Sequence, residues 1–216
     1  VYKIDDENQP IAGATEEEVY RVCGHAWIAP EFRENRFEWA DDFDVRQKKI
    51  VKRSDICGDL HMHTTASDGE QSIEQMAEAA RRRGLRYIAI TDHSQRVSMA
   101  NGLNTQRILE QWEAIDRINQ QWDPGEFVIL KGIECDILED GHMDLPDAVL
   151  AQADWVMASI HYGQKQSREQ ITDRILGAIA HPSVSAISHP TGRLLGRREA
   201  YQVDMDAIIQ AAAEHQ

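Results

Sequence analysis

The sequence predicts a parallel α/β fold of the barrel type. Short apolar runs at 58–64, 87–91, 127–138, 155–160 and 184–188 alternate with stretches of helical period. The runs are apolar on consecutive residues, as strands covered on both faces are. Each also ends in a side chain able to hold a metal: His61 and His63, then His93, Glu134, His161 and His189. A parallel barrel collects its chemistry at these C-terminal strand ends.

Residues 1–56 differ in character from the rest of the chain. Positions 1–4 read as a short strand, and Asp5-Asp6-Glu7-Asn8 as an acidic turn. Thr15 suits an N-cap with Glu18 as its capping-box partner, and Val19, Val22 and Cys23 form the apolar stripe of the expected helix. From 29 to 53, charges and scattered aromatics (Phe32, Phe37, Trp39, Phe43) show little periodicity, which is linker composition with anchoring side chains. The chain begins Val-Tyr-Lys without a methionine and is expected to be a piece of a longer protein.

Between the apolar runs lie the helices. Ser72 caps the first, with Ile73, Met76, Ala77 and Ala80 at helical spacing and Gly84 as its stop. Asn104 or Thr105 begins the second, which places Ile108, Trp112, Ile115 and Ile118 on one face. Pro146 belongs in the first turn of a short third, and Ser167 caps a fourth carrying Ile171, Ile175 and Ile179. A fifth starts near Asp204 and is expected to run on at Gln216. Repeated βα units of this kind make a parallel sheet.

At 216 residues, 42% apolar and 28% charged, the chain is long enough for one sizeable core or for a domain with an appendage. A formal charge of −14 argues against a broad basic face that binds nucleic acid by charge alone. It is compatible with carboxylates gathered around cations and with local arginines on a substrate. Cys23, Cys57 and Cys135 form no CxxC pair, no signal peptide is visible, and no apolar run reaches membrane length. These features point to the reducing cytoplasm and to no membrane partner.

Alternation along an extended segment sends His61 and His63 to the same side. Asp68 follows on the next loop, before Gly69, where a carboxylate can swing back over the barrel mouth. Imidazole and carboxylate without thiolate suit zinc, manganese or iron. His25, His142, His181 and His215 lie off the strand ends and read as structural or solvent-facing. Lys131 stands three residues from Glu134, so strand alternation puts it on the opposite face and argues against a carbamylated-lysine bridge.

The HxH pair at 61–63 with Ser67-Asp68-Gly69, the TDH at 91–93, GIE at 132–134, SIH at 159–161 and SHP at 188–190 together resemble the PHP (polymerase and histidinol phosphatase) superfamily. The stretch HPTGRLLGRR at 189–198, followed by Tyr201 and Val203-Asp204-Met205, is similar to the PHP domain of bacterial and archaeal family X DNA polymerases. The leader IAGATEEEVY at 11–20, with Trp27-Ile28 and Pro30-Glu31, is similar to the end of a polymerase thumb and the linker beyond it. The resemblance implies a thumb fragment at 1–40, a linker at 41–56 and a PHP domain at 57–216. It implies a distorted TIM-like (β/α)7 barrel, here cut short after about five βα units.

The same resemblance implies up to three divalent ions, manganese or zinc first and iron as a further candidate. His61, His63 and Glu134 hold one; Glu134 bridges to a second on His161 and His189; Asp68 and His93 hold the third. An aspartate and a histidine that the family supplies from two later strands are not reached, so the Glu134, His161, His189 set alone is expected to be complete. The implied activity is hydrolysis of phosphodiesters at DNA 3′ ends, as a 3′–5′ exonuclease, with 3′-phosphatase or abasic-site cleavage as variants. Clustered divalent ions serve such chemistry by activating water and neutralising phosphoryl charge. Arg193, Arg197 and Arg198 are the candidate phosphate contacts. The partners expected are DNA 3′ ends and upstream polymerase domains, with no nucleotidyl transfer in this segment. Two alternatives stand beside this reading: a histidinol-phosphatase-type phosphomonoesterase, and a metal-binding scaffold without turnover.

Overall fold

A computed structural model of the chain describes residues 2–3, 6–33, 50–123 and 125–215. The chain divides into two compact units, Val1–Ile56 and Cys57–Gln216.

In the first unit, β1 (Tyr2–Lys3) pairs antiparallel with β2 (Asp6–Pro10). The expected acidic turn is therefore largely strand, because ladder pairing overrides the weak β-propensity of Asp, Glu and Asn. Helix α1 (Glu16–Val22) starts where expected, with Thr15 Oγ1 accepting from Glu18 N at 3.3 Å. Glu18 Oε2 returns to the backbone N–H of Ala14 at 3.2 Å, one residue short of a true box. The predicted stripe is not a core face: α1 buries no residue, and Val22 and Cys23 are exposed. Among the described residues of this unit the buried apolar ones are Ala12, Ile28 and Ala29 from the flanking segments. Arg33 ties those segments together, pairing with both oxygens of Glu16 and donating to Ile28 O. Phe37, Trp39, Phe43 and positions 41–49 of the expected linker lie outside the described residues.

The second unit is a curled, open half-barrel of five parallel strands. They are β3 (Gly58–Asp59), β4 (Tyr87–Ile90), β5 (Val128–Asp136), β6 (Trp155–Ser159) and β7 (Ala186–Ile187), arranged side by side in chain order. Between them run α2 (Ile73–Arg82), α3 (Thr105–Asn119), the single turn α4 (Asp147–Leu150) and α5 (Arg168–Ile179), and α6 (Met205–Glu214) follows β7. The caps fall where the sequence placed them. Ser72 and Ser167 form reciprocal boxes with Gln75 and Gln170, and Asn104 Oδ1 accepts from Arg107 N at 3.0 Å. Pro146 is the N-cap of α4 rather than a residue inside it, and α6 closes at Glu214 with His215 as its cap.

Two apolar clusters hold the helices on the sheet. The larger joins Ile88, Ile90, Ile129 and Ile133 to Ile108, Trp112 and Ile115 of α3. The smaller packs Ala158 and Ile160 against Ile171 and Ile175 of α5 and Ile208 of α6. Trp112 also donates from Nε1 to Gly132 O at 3.0 Å, fixing α3 on the middle strand.

Two strands keep less than half of their apolar runs. The run at 58–64 keeps regular pairing only over Gly58–Asp59. Beyond it the backbone is satisfied by side chains of the neighbouring strand end: Thr91 Oγ1 accepts from Met62 N at 2.9 Å, and Asp92 Oδ1 from Thr64 N at 2.7 Å. The segment therefore stays extended while leaving the ladder, which frees His61 and His63 to lean across the sheet end. The run at 184–188 is strand only at Ala186–Ile187.

Candidate metal centre

Glu134 is the hub. It lies inside β5, only 1% exposed, with His93 bridged beside it in parallel register and its N–H donating to Asp92 O at 3.1 Å. Its two oxygens face different histidines. Oε2 is 3.4 Å from His61 Nε2, 3.6 Å from His63 Nε2 and 3.1 Å from His93 Nδ1. Oε1 is 3.2 Å from His189 Nε2 and 3.8 Å from His161 Nε2. The imidazoles form an arc, with ring centroids 5.2 Å apart for His61 and His63, 4.4 Å for His63 and His93, 4.9 Å for His93 and His161, and 5.1 Å for His161 and His189.

Asp68 closes the arc from the side, with Oδ1 3.5 Å from His63 Nδ1 and Oδ2 3.5 Å from His93 Nε2. The loop that carries it is tight. Gly69 N donates to Thr64 O at 2.8 Å, and a β-carbon at Gly69 would lie 2.4 Å from His63 O, so any larger residue there would open the loop. Asp92 holds the same loop from beneath. Fully buried, it accepts from Thr64 N, Thr64 Oγ1 and Gln111 Nε2 at 2.6–2.7 Å, and also from Ser67 Oγ.

Among the described residues three sets of side chains are compact enough to share an ion: His61, His63 and Glu134; His63, Asp68 and His93; and His93, Glu134 and His161. The first coincides with the expected grouping. The second adds His63 to the expected Asp68 and His93. In the third, His93 stands where His189 was expected, because His93 is bridged directly to Glu134, whereas His189 follows the two-residue β7 with a 39% exposed side chain.

The donor set fits divalent metal. His63 Nδ1, His93 Nδ1 and Glu134 Oε1 are buried without a partner in hydrogen-bond geometry. Buried polar atoms rarely stay so unless something else satisfies them. Burial alone would raise the Glu134 carboxyl, yet His189, His61 and His93 outweigh it and hold Glu134 far below the usual carboxylate range. It is therefore an anion at neutral pH, as a bridging ligand must be. Desolvation, reinforced by His93, pushes His63 below the usual imidazole value and keeps it neutral.

One residue of the site went unremarked in the sequence. Asp136 is buried on β5, two residues beyond Glu134, and its Oδ1 lies 2.7 Å from His161 Nδ1 and 3.0 Å from His161 N. Strand alternation from Glu134 would have found it. His142 and His181 are engaged elsewhere: His142 Nδ1 pairs with Asp140 at 3.3 Å, and His181 Nε2 with Asp147 at 3.4 Å. Lys131 points away, its Nζ 3.5 Å from Asp116 on α3. Arg193, Arg197 and Arg198 lie on the exposed loop after His189, and Arg198 braces that loop by donating from Nε to Gly192 O at 2.7 Å. Among the described residues no helix is long and apolar enough to cross a membrane.

Imidazoles and carboxylates gathered at the C-terminal ends of parallel strands make a candidate metal centre where α/β barrels carry their chemistry. The chain belongs to the PHP domain family, whose sequence model matches residues 59–214. It is similar to the "DNA polymerase/3'-5' exonuclease PolX" of Bacillus subtilis (strain 168), at 44% identity over 92% of this chain and 34% of that protein. It is also similar to two proteins described as probable phosphatases. One is from Caldanaerobacter subterraneus subsp. tengcongensis, 32% identical over 73% of this chain and 58% of the relative. The other is from Citrobacter koseri, 34% identical over 73% of this chain and 60% of the relative. The chain thus spans 34% of the polymerase's length and 58–60% of the phosphatases'.

Proposed function

We propose that this chain is the phosphoesterase part of a cytoplasmic family X DNA polymerase and hydrolyses phosphodiesters at DNA 3′ ends. In this reading residues 1–40 end the polymerase thumb, 41–56 are the linker, and further polymerase domains are its covalent partners. The observation that carries the chemistry is the division of Glu134, with one oxygen toward His61, His63 and His93 and the other toward His161 and His189. The similarity to the Bacillus subtilis polymerase/exonuclease over 92% of the chain favours a DNA end as substrate.

His61, His63, Asp68, His93, Glu134, His161 and His189 would hold up to three divalent ions, with manganese or zinc ahead of iron for an N/O donor set. When bound, such ions supply an activated water and charge neutralisation at the phosphoryl oxygens. The protein's own residues do the rest. Glu134 contributes a fixed negative charge between two groups of imidazoles. Asp136 keeps the His161 proton on Nδ1, so that Nε2 is the ligating nitrogen. Asp92 holds the Asp68 loop in place. Arg193, Arg197 and Arg198 would receive the phosphates of the DNA backbone.

A second reading, a phosphomonoesterase of the histidinol-phosphatase type, is favoured by the probable phosphatases at 32–34% identity. The deciding experiment loads the protein with manganese or zinc, verifies ion content by elemental analysis, and compares a 3′-labelled oligonucleotide with histidinol phosphate. Release of the 3′-terminal residue as a nucleoside 5′-monophosphate is the expected result. Turnover of histidinol phosphate alone would replace this reading with the second. Metal content without turnover of either, in this chain and in one carrying the later strands, would leave a scaffold.

A further inference from the structure

The loop after His189 is a hairpin that holds two leucines out in solvent. Leu194 and Arg198 exchange backbone hydrogen bonds at 2.9 Å in each direction, and Arg197 N donates to Leu194 O at 3.0 Å. Gly196, at φ 70°, closes the turn. Leu194 is 49% exposed and Leu195 is 80% exposed. Adjacent leucines at a loop tip gain nothing from water, so this tip is a candidate contact surface.

The hairpin is also braced against the metal centre. Gly192 N donates to His189 O at 3.0 Å, Tyr201 Oη to the same carbonyl at 3.1 Å, and Tyr201 N to Thr191 O at 3.1 Å. Gly192 takes φ 58°, and a β-carbon there would lie 2.4 Å from the Tyr201 ring, so ring and turn interlock. The tip is thereby fixed relative to His189, whose imidazole faces Glu134. Arg193 and Arg197 flank the leucines, both exposed, and among the described residues neither side chain has a hydrogen bond or ion pair. In a chain of formal charge −14, the exposed Arg193 and Arg197 make a local positive point on the loop that follows His189.

An apolar tip between free guanidinium groups is the chemistry of an element that abuts bases while neutralising phosphates. We propose that Leu194 and Leu195 pack against the terminal bases of a nucleic acid strand whose backbone is held by Arg193 and Arg197. The hairpin then steers an unpaired strand end toward the metal centre. This rests on reading the centre as a phosphodiesterase and goes beyond it, because it assigns an apolar base contact to the loop after His189. The charge of the flanking residues and the bracing onto His189 favour a nucleic acid strand over a protein partner.

The test uses the metal-loaded chain and the double variant Leu194→Ser/Leu195→Ser, with circular dichroism and thermal melting to verify folding. Binding of a fluorescein-labelled single-stranded oligonucleotide is measured by anisotropy. Turnover is measured on that oligonucleotide and on bis(p-nitrophenyl) phosphate, a diester without bases. The expected result is binding weaker by about fivefold or more, with the ratio of oligonucleotide to small-diester turnover falling by a similar factor. Arg193→Ala/Arg197→Ala should instead lower the slope of log affinity against log salt by about 1.4, two phosphates at roughly 0.7 each on a single strand. Undiminished oligonucleotide binding by the folded leucine variant would overturn the proposal while leaving the site reading intact. So would a dimer, seen by sedimentation, that the variant dissolves without loss of oligonucleotide binding. The binding arm decides the hairpin independently of turnover; if the wild type hydrolyses neither diester, only the catalytic reading falls.

Discussion

Asp136 Oδ1 lies 2.7 Å from His161 Nδ1, and an acceptor-only carboxylate there selects the tautomer whose Nδ1–H donates to it. His161 is thereby left with Nε2 as its lone-pair nitrogen, on the side that faces Glu134. Asp136→Asn replaces an anionic acceptor with an amide of equal size. It is expected to weaken metal binding about 10- to 100-fold with the far-ultraviolet dichroism unchanged. Competition against a chelating indicator measures this; affinity equal to wild type would remove Asp136 from the site.

His63 and His93 lie with their rings in contact at a tilt of 37° yet respond oppositely to their surroundings. Desolvation, then His93, lowers His63; in His93 desolvation is overcome by Glu134 and Asp68, and the value rises. The stability linked to His63 is therefore present above its unfolded value near 6.5 and is lost as pH falls through its lowered folded value. That linked to His93 is present below about 6.5 and is lost as pH rises through its raised folded value. Metal needs both rings neutral, so loading at pH 7 should release protons, chiefly from His93. Calorimetric titration in buffers of different ionisation heat counts them, and His93→Gln should reduce the count.

Asp92 accepts from four donors in a fully buried setting. Asp92→Asn turns one acceptor into a donor facing donors. A loss of roughly 2–4 kcal/mol is expected in urea denaturation of the metal-free protein. The Asp68 loop should loosen with it, so metal stoichiometry should fall as well.

Cys135 follows Glu134 directly but takes no part in the site. Burial pushes its thiol up to about 12, whereas Cys23 is exposed. Ellman's reagent should modify Cys23 in the native protein and reach Cys135 only after denaturation. Rapid native modification at Cys135 would show that β5 opens more readily than its burial implies.

Legibility in the sequence tracks the range of the interactions involved. Ser72, Asn104 and Ser167 were readable as caps because a cap is settled within three residues. The strand-end histidines were readable because a barrel repeats one rule at every strand. The early end of β3 was not, because it depends on Thr91 and Asp92, some thirty residues away, taking over the hydrogen bonds of Met62 and Thr64. The apolar stripe of α1 failed for a related reason: periodicity announces a face but not whether anything covers it. Asp136 was within reach of simple alternation, and its pairing with His161 needed the register of β5 against β6 to be seen.

The five strands of the half-barrel lie in the same order in space as in the chain. Each can therefore join the growing sheet as soon as the ribosome has delivered it, without waiting for a later strand to be threaded between. The metal centre keeps a different schedule. His61, His63 and His93 emerge first, and the carboxylate that gathers them arrives only with β5. Ion capture by the sets that include Glu134 is on this view timed by the synthesis of β5, whereas His63, Asp68 and His93 are delivered before it.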